Sequence, residues 1–148
     1  MISGKVNLLL ADDDIDDCIF FKEALEELPV TASLATVNDG VQLMQYLTKN
    51  LNPFPNILYL DLNMPRKNGF ECLSEIKSND RLRNLPVIIY STSFDREIAD
   101  RLYECGAHFY IRKPAEFFNL KKVILKSITL IGKNKKRQPP KGEFVINS

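Results

Sequence analysis

Apolar and polar residues alternate in blocks along this 148-residue chain, and the blocks follow two different periods. Val6–Ala11 (VNLLLA) is almost wholly apolar and stops at a run holding five carboxylates between Asp12 and Asp17. From 15 to 28 the period changes. Ile19, Phe20, Ala24, Leu25 and Leu28 recur at three- and four-residue spacing, which predicts a helix that Pro29 ends. Ala32–Val37 reads as a second strand. Asp39-Gly40 then opens a helix to about 49 on Val41, Leu43, Met44 and Leu47, and Asn52-Pro53-Phe54-Pro55 resets the chain. A third strand over 56–60 (NILYL) runs straight into Asp61. A loop with Pro65 and Gly69 leads to a third helix over about 70–78, and 86–90 (PVIIY) is a fourth strand ending at Ser91. Asp95 is placed to cap a fourth helix on Ile98, Ala99 and Leu102, with Gly106 as its stop. A fifth strand over 107–112 ends at Lys113-Pro114, and a fifth helix over 116–131 is built on Phe117, Leu120, Val123, Ile124 and Ile128.

Strands alternating with helices predict an α/β fold with a five-stranded parallel sheet, doubly wound, and five flanking helices. The first, third and fourth strands are apolar on both alternating positions, as strands covered on both faces must be. The expected division is a folded body over 1–131 and a polar, basic tail over 132–148. That tail is expected to be mobile, with Phe144, Val145 and Ile146 able to dock back. There is no internal repeat.

Composition adds class limits. Hydrophobic residues make up 45% and charged residues 26% of the chain, the balance of a soluble globular protein. No apolar run reaches the roughly 18–20 residues that span a bilayer. The start, Met1 to Lys5, lacks the basic-then-apolar pattern of a secretory leader, so a cytoplasmic location is expected, with no membrane insertion. Cys18, Cys72 and Cys105 are too far apart for a zinc site or a disulfide framework, and the lone His108 sits in an apolar stretch. The net charge of +1 is unevenly spread: Lys133, Lys135, Lys136, Arg137 and Lys141 stand against Glu143 in the tail, leaving 15 basic and 18 acidic side chains over 1–131. A mildly acidic body with a basic tail speaks against a nucleic-acid-binding fold.

The chemistry collects at the strand ends. In an open parallel sheet, ligands bind beyond the carboxyl ends of the strands. There the sequence places Asp12, Asp13 and Asp14 after the first strand, Asp61 and Asn63 after the third, Ser91 after the fourth and Lys113 after the fifth. Clustered carboxylates repel unless a cation or protons intervene. A hard divalent cation with oxygen ligands is the natural remedy, and Mg²⁺ in particular takes one or two carboxylates, waters and a phosphate oxygen. Lys113 would then face an anion beside the metal, and Ser91 could donate to the same anion. The set can hold a phosphoryl group, with a carboxylate as acceptor. Aspartates before a helix also serve as caps and dipole partners, and one or two of Asp14, Asp16 and Asp17 are expected to do only that.

Taken together, Ala11-Asp12-Asp13-Asp14, Asp61-Leu62-Asn63-Met64-Pro65-Arg66-Lys67-Asn68-Gly69, Tyr90-Ser91-Thr92-Ser93 and Ile111-Arg112-Lys113-Pro114 resemble the receiver domains of bacterial response regulators, the CheY-like family. The likeness spans about 5–131. It implies a flavodoxin-like fold and a place in a two-component phosphorelay. Asp61 would accept a phosphoryl group from the phosphohistidine of a sensor histidine kinase or phosphotransfer protein. Asp13, Asp61 and the backbone carbonyl of Asn63 would ligate Mg²⁺, with Asp12 acting through metal-bound water. Lys113 would pair with the phosphoryl oxygens, its bond to Pro114 being cis. Ser91 would move onto the phosphoryl group, and Tyr110 would turn inward as the switch aromatic. The face made by the fourth helix, fifth strand and fifth helix would then change its preference for a downstream protein target.

Ser91 stands where the family more often has Thr. The Pro65-Arg66-Lys67-Asn68-Gly69 wording also resembles stand-alone receivers that serve phytochrome-type histidine kinases, which often dimerise through that same face. Two other classes compete. A pseudo-receiver would bind a partner without phosphorylation. An aspartyl-phosphate phosphatase resembles a D-x-D after the first strand with a general acid two residues past the nucleophile. Asn63 cannot serve two past Asp61, but Asp12 and Asp14 do form a D-x-D and keep that class open. Neither a G-x-G-x-x-G nor a P-loop is present.

Overall fold

Strand formation follows from the burial of both faces. The computed structural model describes residues 4–49, 52–134 and 137–147. In chain order it contains β1 (Val6–Ala11), α1 (Ile15–Glu26), β2 (Ala32–Val37), α2 (Gly40–Leu47), β3 (Ile57–Leu60), α3 (Gly69–Ser78), β4 (Val87–Ser91), α4 (Arg96–Glu104), β5 (Phe109–Arg112), α5 (Phe117–Lys133) and β6 (Val145–Ile146). The sheet order is β2-β1-β3-β4-β5-β6, and every pair is parallel.

Successive side chains of a strand point to opposite faces, and the core divides accordingly. Leu9, Ala11, Leu58, Leu60, Val87 and Ile89 pack on one face against Leu43 and Leu47 of α2, Leu73 and Ile76 of α3, and Leu102 of α4. Leu8, Leu10, Ile57, Tyr59, Ile88 and Tyr90 pack on the other against Phe21 and Leu25 of α1 and Leu120, Val123, Ile124 and Ile128 of α5. Burying each such side chain contributes about 1.5–3 kcal/mol, so the sheet is held from both sides. The phenol of Tyr59, fully buried, finds its partner in Ser127 of α5 at 2.6 Å, as a buried hydroxyl must.

The helices begin where short polar side chains can take up free N–H groups. Asp14, Asp39, Asn68 and Asp95 cap α1, α2, α3 and α4, each accepting from a backbone N–H three residues on. Asn68 and Glu71 complete a reciprocal capping box. Gly106 ends α4 with φ +103°, a conformation that favours glycine.

The expected count of five strands is corrected to six. Ile146 and Val145 pair with Ile111 and Tyr110 at the outer edge of β5. Phe144, 3% exposed, meets Tyr103 and Tyr110 edge-on, with ring centres 5.3 and 6.3 Å away. Gln138 donates to the carbonyls of Tyr103 and Ala107, and the Tyr103 hydroxyl donates to Pro139. A two-residue strand has no readable period, and its pull comes from the unpaired edge of β5, which local sequence does not reveal. Met1, Ile2, Ser3, Lys135 and Lys136, used above for the leader and the tail charge, lie outside the described residues. Among the described residues, no helix is long and apolar enough to cross a membrane.

Candidate functional site

Register brings the polar strand ends together. Ala11 is level with Leu60 and Ser91 with Arg112, so Asp12 and Asp61 leave the sheet side by side and Lys113 follows beyond Ser91. Backbone bonds continue the ladder past the strands: Asp61 N–H donates to Ala11 O at 2.9 Å, and Lys113 N–H to Ser91 O at 2.7 Å. Asp12 is fully buried and Asp61 is 5% exposed, whereas Asp13 reaches solvent.

The Lys113 ammonium lies among the acids. Its Nζ is 2.8 Å from Asp12 Oδ2, 2.8 Å from Asp17 Oδ2 and 3.7 Å from Asp61 Oδ2. Asp12 Oδ1 accepts the N–H of Asp14, while its buried Oδ2, close to the ammonium but poorly aligned with it, has no hydrogen-bond partner. Asp12, Asp13 and Asp61 each offer an oxygen within 4.8 Å of the others'. All-oxygen donors, an unsatisfied buried carboxylate oxygen and an open side at Asp13 fit a hard divalent cation.

These surroundings shift the ionisations. Burial pushes the Asp61 carboxyl up to about 7; Lys113 opposes this and the Asp12 charge reinforces it. Burial pulls the Lys113 ammonium down, but the carboxylates of Asp12, Asp17 and Asp61 around it outweigh this, so its pKa is raised. A divalent cation held by Asp61 would compete there with a proton, so its affinity should fall as pH drops below about 7 and level off above it, measurable by calorimetric titration of Mg²⁺ between pH 5.5 and 8.5. The same shift has a stability consequence. A carboxyl raised above its unfolded value stabilises the metal-free fold most at acid pH, and that contribution is lost as pH rises through about 7.

The loop after β3 is held from several sides. Met64 is buried in the core, Arg66 adopts φ +67°, and its guanidinium is 3.4 Å from Asp39. Gly69 N–H donates to Leu62 O, and a Cβ at Gly69 would lie 2.2 Å from the Asp61 carbonyl oxygen. Asn63 is exposed, and its N–H donates to Asp61 Oδ1 at 3.4 Å.

Ser91 is fully buried, its hydroxyl 3.5 Å from that of Ser93. Tyr110, expected to move inward on switching, is already buried: its hydroxyl donates to Ser93 O and its ring meets Phe94 edge-on at 5.2 Å. Burial pushes its phenol above the ordinary value, opposed by the Ser91 hydroxyl. Two expectations need correction. The Lys113-Pro114 bond is trans, and the cis bond among the described residues is Asn52-Pro53. Trans is the ordinary preference of an X-Pro bond, and in this form Lys113 already reaches Asp12 and Asp17. The outer edge of β5 is not open either, because β6 pairs with it, so the expected partner face runs α4–β6–α5.

Several residues here were not singled out from sequence. Asp17 looks like one more first-turn helix charge. Asn38, whose amide donates to Asp12 O at 3.0 Å, follows the end of β2, so the strand-end rule would have found it. The pairing of Asp39 with Arg66 leaves no local signal, since it joins two loops.

The family model of the response regulator receiver domain matches residues 8–125. The response regulator Rcp1 of Synechocystis sp. is 31% identical over 121 residues, covering 79% of this chain and 82% of that protein. The crystal structure of the phosphorylated cyanobacterial phytochrome response regulator RcpA superposes with a TM-score of 0.76 at 31% identity, over 93% of this chain and 100% of that one. The Mn²⁺-bound form of Rcp1 gives a TM-score of 0.74 at 29% identity, over 91% and 99%.

Proposed function

The chain belongs to the family of response regulator receiver domains, and we propose that it acts as a single-domain response regulator in which Asp61 is the phosphoacceptor. The observation that carries this reading is the meeting of Lys113 with Asp12 and Asp61, the last a carboxylate held at the rim of the sheet. In the step proposed, an Asp61 oxygen attacks the phosphorus of a phosphohistidine on a sensor histidine kinase or phosphotransfer protein. The P–O bond forms as the P–N bond breaks, and the electron pair leaves with the imidazole, which takes up a proton. A bound Mg²⁺ would supply charge neutralisation for the transferred group, held by Asp13, Asp61 and the Asn63 carbonyl, with Asp12 beside it.

This chain's own residues do the rest. Lys113 stabilises the charge on the phosphoryl oxygens. Asn38 and Cys18 hold the Asp12 carbonyl, at 3.0 and 3.6 Å, and so fix the start of the acidic loop. Ser91 takes a phosphoryl oxygen, and Tyr110 relays the change to the α4–β6–α5 face, where a downstream protein binds. The protein is a phosphoacceptor and not a turnover enzyme, and it works in the cytoplasm. Its likeness to RcpA, a phytochrome response regulator, supports a phytochrome-type kinase as the donor.

Intact-mass spectrometry after incubation with acetyl phosphate tests the reading. Wild type should gain one phosphoryl group in Mg²⁺ and none in EDTA, and Asp61→Asn should gain none. Equal labelling of both proteins would falsify the assignment of Asp61. Labelling of neither, with no saturable Mg²⁺ response, would leave a phosphorylation-independent binding module.

A further inference from the structure

Lys113 is bound more closely by Asp17 than by Asp61. Its Nζ donates to Asp17 Oδ2 at 2.8 Å, while Asp61 Oδ2 lies 3.7 Å away. Asp17 reaches the ammonium from the first turn of α1, across 96 residues of sequence, and its side chain is 32% exposed. The start of that helix does not need Asp17 as a cap: Asp14 caps it, and Asp17 supplies the N–H that Asp14 accepts. Asp16 carries the same charge in the same turn, is exposed and forms none of the ion pairs at this site.

We propose that Asp17 is a positioning residue that holds Lys113 in a resting place between α1 and the end of β5, and that a phosphoryl group on Asp61 must win the ammonium from it. The inference rests on the phosphoacceptor reading of Asp61. An ammonium has three donors, and Asp12 and Asp17 lie at bonding distance from it. A phosphoryl group brings about −1.5 to −2 charges and strong acceptor oxygens, enough to draw Nζ across the remaining gap. Asp17 therefore stabilises the unphosphorylated state relative to the phosphorylated one. It acts through Lys113 and touches no reacting atom, so removing it favours the phosphorylated state without altering the acceptor.

The test uses the whole chain at saturating Mg²⁺, with beryllofluoride as the phosphoryl mimic and binding followed by calorimetry. Asp17→Asn should bind the mimic about 5-fold more tightly than wild type, the size expected for releasing one partly exposed ion pair. Asp16→Asn should match wild type, and Asp17→Glu, which keeps the charge within reach of Lys113, should return towards it. Unchanged or weaker binding by Asp17→Asn overturns the proposal, and so does equal tightening by Asp16→Asn, which would make net charge the cause. If wild type itself takes up no beryllofluoride, the phosphoacceptor reading fails first, and this inference with it. A urea titration of each variant separates a change in binding from a change in folding.

Discussion

Replacing Lys113 with methionine should destabilise the metal-free protein by about 3–5 kcal/mol at pH 8, the usual cost of removing one partner from a buried ion pair. Methionine keeps most of the apolar stem, so the loss isolates the charge. The Lys113 side chain is 8% exposed and the Asp12 side chain 0%, and Asp12 Oδ2 already lacks a hydrogen bond. Without the ammonium, Asp12, Asp13, Asp17 and Asp61 would repel with nothing between them. Two conditions should narrow the deficit. Mg²⁺ at the proposed site would restore positive charge among the carboxylates. Acid pH protonates Asp61, whose carboxyl burial raises and whose opposing ammonium the variant has lost. Urea unfolding of wild type and variant, in EDTA and in Mg²⁺ at pH 8 and pH 6, reads each effect separately. Equal midpoints for the two proteins in EDTA at pH 8 would mean that the ammonium does not hold this cluster together.

Gly69→Ala should cost at least about 2–3 kcal/mol, towards the upper end of what overpacking a close-packed region does. The added methyl would sit 2.2 Å from the Asp61 carbonyl oxygen and 2.9 Å from Leu62 Cα, both backbone atoms that cannot rotate away. Either α3 retreats, breaking the Asn68 and Glu71 capping box and the bond from Gly69 N–H to Leu62 O, or the Asp61 peptide moves. The second route displaces the proposed acceptor, so phosphoryl uptake from acetyl phosphate should fall by more than the folded fraction does. Thermal unfolding paired with intact-mass labelling distinguishes the two routes. Wild-type stability and wild-type labelling together would show that the contact yields cheaply. Here the glycine is required by proximity alone, since its φ is not in the left-handed region.

The site and the far edge of the sheet are joined through β5. Tyr110 lies in that strand three residues before Lys113, donates to Ser93 near the site and packs against Phe144 from the C-terminal segment. The segment over 137–147 thus covers the ring that the resemblance assigns to switching. The α4–β6–α5 face proposed to bind a downstream protein therefore includes residues that follow α5.

The order of strands and helices was legible because each leaves its own period. Leu8 and Leu10 face one way and Leu9 and Ala11 the other, yet all are apolar, which marks a strand covered on both sides. The acidic run after β1, Asp61 after β3, Ser91 after β4 and Lys113 after β5 were readable for a related reason. Parallel strands bring their carboxyl ends to one rim, so position in the chain predicts position in space. That Asp12, Asp13 and Asp61 offer oxygens within 4.8 Å of one another follows from that rule.

What tertiary structure alone decided are the contacts made between elements by side chains that carry no periodic mark. Asp17 bonds Lys113 across 96 residues, Arg66 reaches Asp39 from another loop, and Val145–Ile146 pairs with an edge that is open only once β5 lies at the end of the sheet. A period records which face of an element is buried, because burial acts on every turn or alternate residue. A single ion pair, a close glycine contact or a two-residue strand depends on the one position its partner occupies after folding. No repeating pattern in the chain encodes that position.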